Sequence, residues 1–129
     1  LRRPAAPAHE RVAATLRAAG PLERLFVRER GKIVPVPVAS IERFEAKDDY
    51  VAVHAAGRVY LVQLRLQDLE QRLDPTRFVR VHRSHLVNLD FVTAFEPYDA
   101  HRLLVHLRSG ARVLGSRARS RELKERIGV

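Results

Sequence analysis

Cysteine, methionine and tryptophan are all missing from these 129 residues. Without cysteine there are no disulfides, no thiolate zinc sites and no cysteine nucleophile, and a reducing cytoplasm is the expected compartment. No run approaches the roughly 18 to 20 consecutive apolar residues of a membrane-spanning helix. The start, Leu1-Arg2-Arg3-Pro4, is not followed by the apolar core of a signal peptide. A glycine-rich phosphate loop and a nucleophile elbow are also missing. Carboxylate pairs such as Glu42 and Glu45, or Asp48 and Asp49, have no partner that would mark a general acid or base. These absences argue against an enzyme. A chain that begins with Leu and holds no Met reads as cut from something longer, or as one processed or renumbered.

What is present is positive charge. The net charge is +9, and it is unevenly spread. Residues 1–24 carry five arginines against two acids, residues 25–76 balance eight against eight, and residues 77–129 carry eleven Lys or Arg against five acids. Arginine far outnumbers lysine. Its planar fork of donors suits phosphate oxygens and the O6/N7 edge of guanine better than a point charge does. By composition alone, a nucleic-acid partner and a merely solvated basic surface are equally good readings.

Residues 1–24 hold three of the seven prolines, an Ala-rich stretch and a short helical pattern through Val12 and Leu16 closed by Gly20-Pro21. This composition predicts a linker to an absent upstream domain, followed by one domain over 25–129. From Leu25 the apolar period becomes two. Strands are predicted at 25–30, 32–38, 41–46, 50–55, 59–63, 78–81, 85–89, 91–96, 101–107 and 111–115. Ala55-Ala56-Gly57-Arg58 and Arg108-Ser109-Gly110 read as tight reversals. Pro35 and Pro37 confine the second strand to an edge. A helix over about 65–73 presents Leu66, Leu69 and Leu73 on one face and stops at Asp74-Pro75; another runs from about Arg117 to Ile127, capped by Ser116, with Gly128 past its end. The fold class is therefore all-β dominated, with antiparallel sheets and two short helices.

Between two apolar strand stretches, Arg80, His82, Arg83 and Ser84 interrupt the in/out alternation of Phe78-Val79-Arg80-Val81-His82-Arg83-Ser84-His85-Leu86-Val87-Asn88. A core strand has no need of such a cluster, whereas a loop that projects polar groups does; an ordinary solvated turn is the plainer alternative. The segment resembles the central motif of the LytTR family of DNA-binding domains. Ile41-Glu42-Arg43-Phe44-Glu45-Ala46-Lys47-Asp48-Asp49-Tyr50-Val51, the Leu66, Leu69, Leu73-Asp74-Pro75 helix ending and Ser116-Arg117 extend the resemblance over about 33–127.

The resemblance implies an elongated module that reads duplex DNA from loops, often as the output half of a two-component response regulator behind a phosphorylatable receiver domain. Loops would enter two successive major grooves of a direct-repeat site, with contacts in the minor groove between them and two copies per site. Base contacts are then expected from Arg83, from Arg117 and from the loop containing Lys47, Asp48, Asp49 and Tyr50. Chemistry supports the two arginines independently, because each can donate two hydrogen bonds to one guanine. Arg80, His82, Ser84, Arg119 and Arg121 fit phosphate contacts, with free N–H groups at the helix start adding to them. Asp48 and Asp49 could accept from cytosine N4, or could simply form the turn. No cofactor, metal, membrane or small-molecule substrate is expected.

Three residues depart from the family's pattern. Arg65 stands where a helix-capping Ser is usual, His85 replaces an aromatic or aliphatic residue, and Gly115 replaces an apolar one just before Ser116-Arg117. Two rival readings compete with DNA. An RNA-binding β-domain would stack bases on exposed aromatics, but Phe26, Phe44, Phe78, Phe91 and Phe95 fall mostly at apolar strand positions and read as core. A tethered protein-interaction module would present an apolar patch instead of clustered arginine. His82 and His85 lack the further ligands that zinc requires, and His54, His101 and His106 read as surface or half-buried residues.

Overall fold

The computed structural model describes residues 20–129; most of the expected linker, including the pattern at Val12 and Leu16, lies outside them. Leu22 is buried and its N–H donates to the Arg72 carbonyl at 2.9 Å, so the folded part begins ahead of residue 25. In order come β1 (Arg24–Glu29), β2 (Lys32–Pro37), β3 (Ile41–Ala46), β4 (Val51–Ala55), β5 (Arg58–Val62), α1 (Leu66–Arg72), β6 (Phe78–His82), β7 (His85–Asn88), β8 (Val92–Pro97), β9 (Leu103–Leu107), β10 (Arg112–Leu114) and α2 (Arg117–Ile127). Every expected strand and both expected helices are there, with boundaries moved by a residue or two.

The strands form three antiparallel sheets: β1-β2, β5-β4-β3-β7-β6 and β10-β9-β8. Among the described residues β2 has one neighbour, which explains how it carries Pro35 and Pro37. Two residues apart, both prolines face the same way, so both missing donors can fall on the unpaired side. Between β4 and β5, Ala56 and Gly57 take φ of 52° and 76°. Two positive φ values in succession make the reversal whose twist matches the flanking strands.

The five-stranded sheet is the middle layer and packs a core on each face, the second only over β6 and β7, with Val59 and Leu61 of β5 left exposed. On one face Ile41, Phe44, Val53, Phe78 and Leu86 pack with Leu25, Val27 and Val36 of the small sheet and with Leu66, Leu69 and Leu73 of α1 and its end. On the other, Val81 and Val87 pack with Leu103, Val105, Leu107 and Val113 of the three-stranded sheet and with Leu123 of α2. Strand neighbours point to opposite faces, so the adjacent pair Leu86 and Val87 enters two different cores. That is why both central residues of β7 are apolar. Arg65 precedes α1 without a side-chain cap; the helix is held instead by its leucines, each fully buried one contributing about 1.5–3 kcal/mol.

The aromatic expectation is met only in part. Phe44 and Phe78 are core, with ring centroids 5.8 Å apart, and Phe91 and Phe95 pack partly buried against the second core. Phe26 is 36% exposed, because it alternates with the buried Leu25 and Val27 and so faces away from the core. Among the described residues no helix is long and apolar enough to cross a membrane.

Candidate nucleic-acid interface

Two backbone connections gather the expected base-contact residues at one end of the middle sheet. The turn between β6 and β7 contains Arg83 and Ser84, and the Ser84 carbonyl accepts from the N–H of Ala46 at 2.9 Å. This joins the turn to the last residue of β3, where the loop 47–50 begins. The Val81 carbonyl accepts from the N–H of Ser116 at 2.9 Å, which brings the start of α2 alongside the same turn. Loop 47–50 is itself closed by the Lys47 N–H donating to the Tyr50 carbonyl at 2.8 Å. Lys47, Asp48, Asp49, Tyr50, Arg83 and Arg117 are all exposed.

The side chains differ in how free they are. Arg83, Arg117 and Arg121 make no side-chain hydrogen bond or ion pair among the described residues. Arg119 reaches Glu122 at 3.3 Å, and Lys47 lies 3.4 Å from Glu45. His82 and Ser84 are half-buried, and the Ser84 N–H donates to His82 Nδ1 at 3.0 Å. That bond uses His82 Nδ1 as an acceptor and leaves Nε2 to carry the proton of a neutral ring.

Arg80 departs from its expected place at the surface. Its side chain is only 13% exposed, because its guanidinium is turned inward onto protein acceptors. Nε donates to the His82 carbonyl at 3.0 Å, one terminal nitrogen to the Arg83 carbonyl at 2.7 Å, and the other to Glu70 Oε1 on α1 at 2.7 Å. Two successive carbonyls of the turn are thereby held, and Arg83 projects from between these anchors.

Helix α2 starts as the sequence predicts. Ser116 Oγ accepts from the Arg119 N–H at 3.2 Å, while the N–H groups of Arg117 and Ala118 have no acceptor among the described residues. Free donors and the positive end of the helix face whatever anion approaches. Gly115 is what permits this docking. A Cβ there would stand 2.8 Å from Ser120 Oγ, 3.2 Å from the Val81 carbonyl and 3.3 Å from the Leu103 carbonyl. The Ser120 hydroxyl meanwhile accepts from the Leu103 N–H at 3.0 Å.

Behind the turn lies a polar cluster on the second face of the sheet. Arg43 and Glu45 of β3 are 3.5 Å apart, and His54 of β4 meets Glu45 at 3.2 Å. Burial raises the Glu45 carboxyl, but hydrogen bonds from His54 and Lys47 outweigh it and leave the group below its ordinary value. Burial, followed by the Arg43 charge, holds His54 below the ordinary histidine value. Burial also lowers His85, against the attraction of Glu45 and with the help of Arg43, His82 and His54. His85 Nδ1 is buried without a hydrogen-bond partner. The His82 and His85 rings meet edge-on with centroids 5.7 Å apart, and no group of three or more metal-ligating side chains occurs among the described residues.

Four contributors have little or no signal in the sequence. Glu70 reads there as the solvated face of a short helix, and Gly115 as a weak point. Ser120 reads as one more polar helix residue, yet it is buried beneath α2. Asn88 is 1% exposed; it donates to the Ile41 carbonyl at 2.9 Å and accepts from the Asp90 N–H at 2.9 Å. Asn88 carries a local signal, a polar residue set between Leu86-Val87 and Leu89, and Gly115 a departure from the family's pattern.

A family model described as the LytTr DNA-binding domain matches residues 31–128. The heme-containing CO-sensing transcriptional regulator RcoM 2 of Paraburkholderia xenovorans is 31% identical over 95% of this chain and 46% of its own length. The sensory transduction protein LytT of Enterococcus faecalis is 26% identical over 83% of this chain and 44% of its own. A solved LytTr DNA-binding domain, from a putative methyl-accepting/DNA response regulator of Bacillus cereus, superimposes with a TM-score of 0.78 at 26% identity, covering 84% of this chain and 99% of that one. The chain spans less than half the length of these two regulators.

Proposed function

Since this chain belongs to the LytTR family of DNA-binding domains, we propose that it binds duplex DNA sequence-specifically in transcription regulation, as the output domain of a longer regulator. The observation that carries the reading is the convergence of loop 47–50, the Arg83 turn and the Arg117 helix start, joined through Ala46–Ser84 and Val81–Ser116. Arg83 and Arg117 are the base readers, each able to hold one guanine through two donors and to contribute about 1–3 kcal/mol of discrimination. Lys47, Asp49 and Tyr50 approach bases from the neighbouring loop. His82, Ser84, Arg119 and Arg121 contact phosphates, with the free N–H groups of Arg117 and Ala118 beside them.

Contacts in successive major grooves, and two copies on a direct repeat that multiply them, belong to this reading by likeness to the family. Residues 1–24 then act as the tether to an upstream sensory or receiver domain. The matches to the RcoM and LytT regulators, which cover less than half of those chains, support a fused output role.

Selection from a randomised duplex library tests this reading, followed by competition with a shuffled duplex and with RNA of the same sequence. The selected duplex is expected to win by about a thousandfold or more over the shuffle, in the range of specific over non-specific binding. Equal affinity for all three would refute the reading. Half-sites about one helical turn apart in the consensus would support two copies per site.

A further inference from the structure

Glu70 lies on α1, outside the convergence of loops, and its carboxylate is the one acidic group that Arg80 touches among the described residues. The other Arg80 donors fall on two successive carbonyls, those of His82 and Arg83. A guanidinium with three donors fixed to three acceptors on two elements has one orientation; an ammonium on a flexible stem does not. From this geometry we infer that Glu70 and Arg80 form a positioning pair, which sets base preference by holding the Arg83 turn without touching DNA. The inference rests on the reading of Arg83 as a base contact.

The chain of contacts is short and each link is specific. Glu70 Oε1 orients the guanidinium through one terminal nitrogen at 2.7 Å. Its remaining fork reaches across the turn and fixes the successive carbonyls of His82 and Arg83. The Ser84 N–H then closes onto His82 Nδ1, and the Ser84 carbonyl is held by Ala46. Bidentate recognition of a base edge tolerates little angular error, and a misplacement of about 1 Å in a supporting shell is enough to degrade a site. Loss of the pair should therefore act on the difference between right and wrong bases.

Charge makes the test sharp, because two readings predict opposite signs. Glu70→Gln removes a negative charge from a protein that binds a polyanion, so simple electrostatics predicts tighter binding to every duplex. A positioning role predicts that the selected duplex loses its advantage over a shuffled duplex, by about tenfold, equivalent to about 1.4 kcal/mol. Arg80→Lys keeps the positive charge but cannot span the three acceptors. It should cost the same preference as Glu70→Gln, and the double variant should cost no more than Arg80→Lys alone, since the two act through one another.

The experiment measures wild type, Glu70→Gln, Arg80→Lys, the double variant and Arg83→Ala against the library-selected duplex and its shuffle, with thermal unfolding alongside. Hydrogen exchange of the Ser84 amide in the DNA-free protein provides a readout independent of binding. Reduced preference in both single variants, with Glu70→Gln keeping its melting temperature and Arg80→Lys showing faster Ser84 exchange, supports the pair. If wild type and Arg83→Ala differ in preference while Glu70→Gln tightens both duplexes alike and Arg80→Lys keeps the wild-type ratio, the pair is overturned and Arg80 acts as a phosphate contact. If wild type itself shows no preference, or Arg83→Ala keeps it, the base-reading assignment of Arg83 fails, and the inference falls with it whatever the amide shows. Unchanged Ser84 exchange in Arg80→Lys overturns the positioning role on its own.

Discussion

The Ser116 N–H donates to the Val81 carbonyl at 2.9 Å, and this bond ties the start of the C-terminal helix to the strand that leads into the Arg83 turn. The approach is close because Gly115 has no Cβ to place between the Val81 and Leu103 carbonyls. What reads as a weak residue in the chain is a fitted one in the fold.

Gly115→Ala should force the Ser120 hydroxyl off the Leu103 N–H and push the helix start outward. The expected loss is about 1–3 kcal/mol, from overpacking and one broken buried hydrogen bond. Base preference should fall at the position read by Arg117 before it falls at the one read by Arg83. Chemical denaturation and binding to singly substituted duplexes measure both. An unchanged denaturation midpoint would count against the close fit.

Arg83→Ala and Arg117→Ala should each relax preference at one base position by about 1–3 kcal/mol and leave stability unchanged, because both side chains are exposed and make no internal bond among the described residues. Arg119→Ala and Arg121→Ala should weaken all duplexes alike and make the salt dependence shallower by about one unit each. Salt titrations on matched and mismatched duplexes separate the two classes. Full specificity in both the Arg83 and Arg117 variants would sink their assignment.

Asn88→Ala should destabilise by about 2–3 kcal/mol, since the buried Ile41 carbonyl loses its donor and the Asp90 N–H its acceptor. At temperatures where the variant is folded, base preference should match wild type. A loss of preference without a loss of stability would mean that Asn88 belongs to the site instead of the scaffold.

Stability should fall on acidification through the histidine range. Burial holds His85 and His54 below their ordinary value of 6.5 in the folded state. As pH drops through about 6.5 the unfolded chain therefore takes up more protons than the folded one, and stability declines. Glu45 is also lowered in the folded state, so its contribution is lost further down, as pH falls below 4.5. Urea midpoints at pH 7.5 and 5.5 should differ for wild type and differ less for His85→Leu, which removes the buried, unpartnered Nδ1. Identical pH dependence in the two proteins would exclude His85 as a contributor.

The sequence determined the local elements of this protein and the exposure of Arg83 in its turn. Period-two alternation, turn residues such as Ala56-Gly57, and the Ser116 cap act over a few residues, so the ten strands and two α-helices of the described residues are legible in the chain alone. Arg83 is legible too, because a cation inside a turn between apolar strands has nowhere to go but out. Tertiary structure alone decided what required distant partners. Arg80 and Arg83 look alike in the chain, yet one is locked onto Glu70 and two carbonyls while the other is free among the described residues. Leu86 and Val87 serve different cores, and Gly115 permits the close approach of Val81, a residue far earlier in the chain. The physical reason is that alternation and capping depend on the backbone's own geometry, whereas the use of a donor or the room for a methyl depends on what the fold brings alongside it.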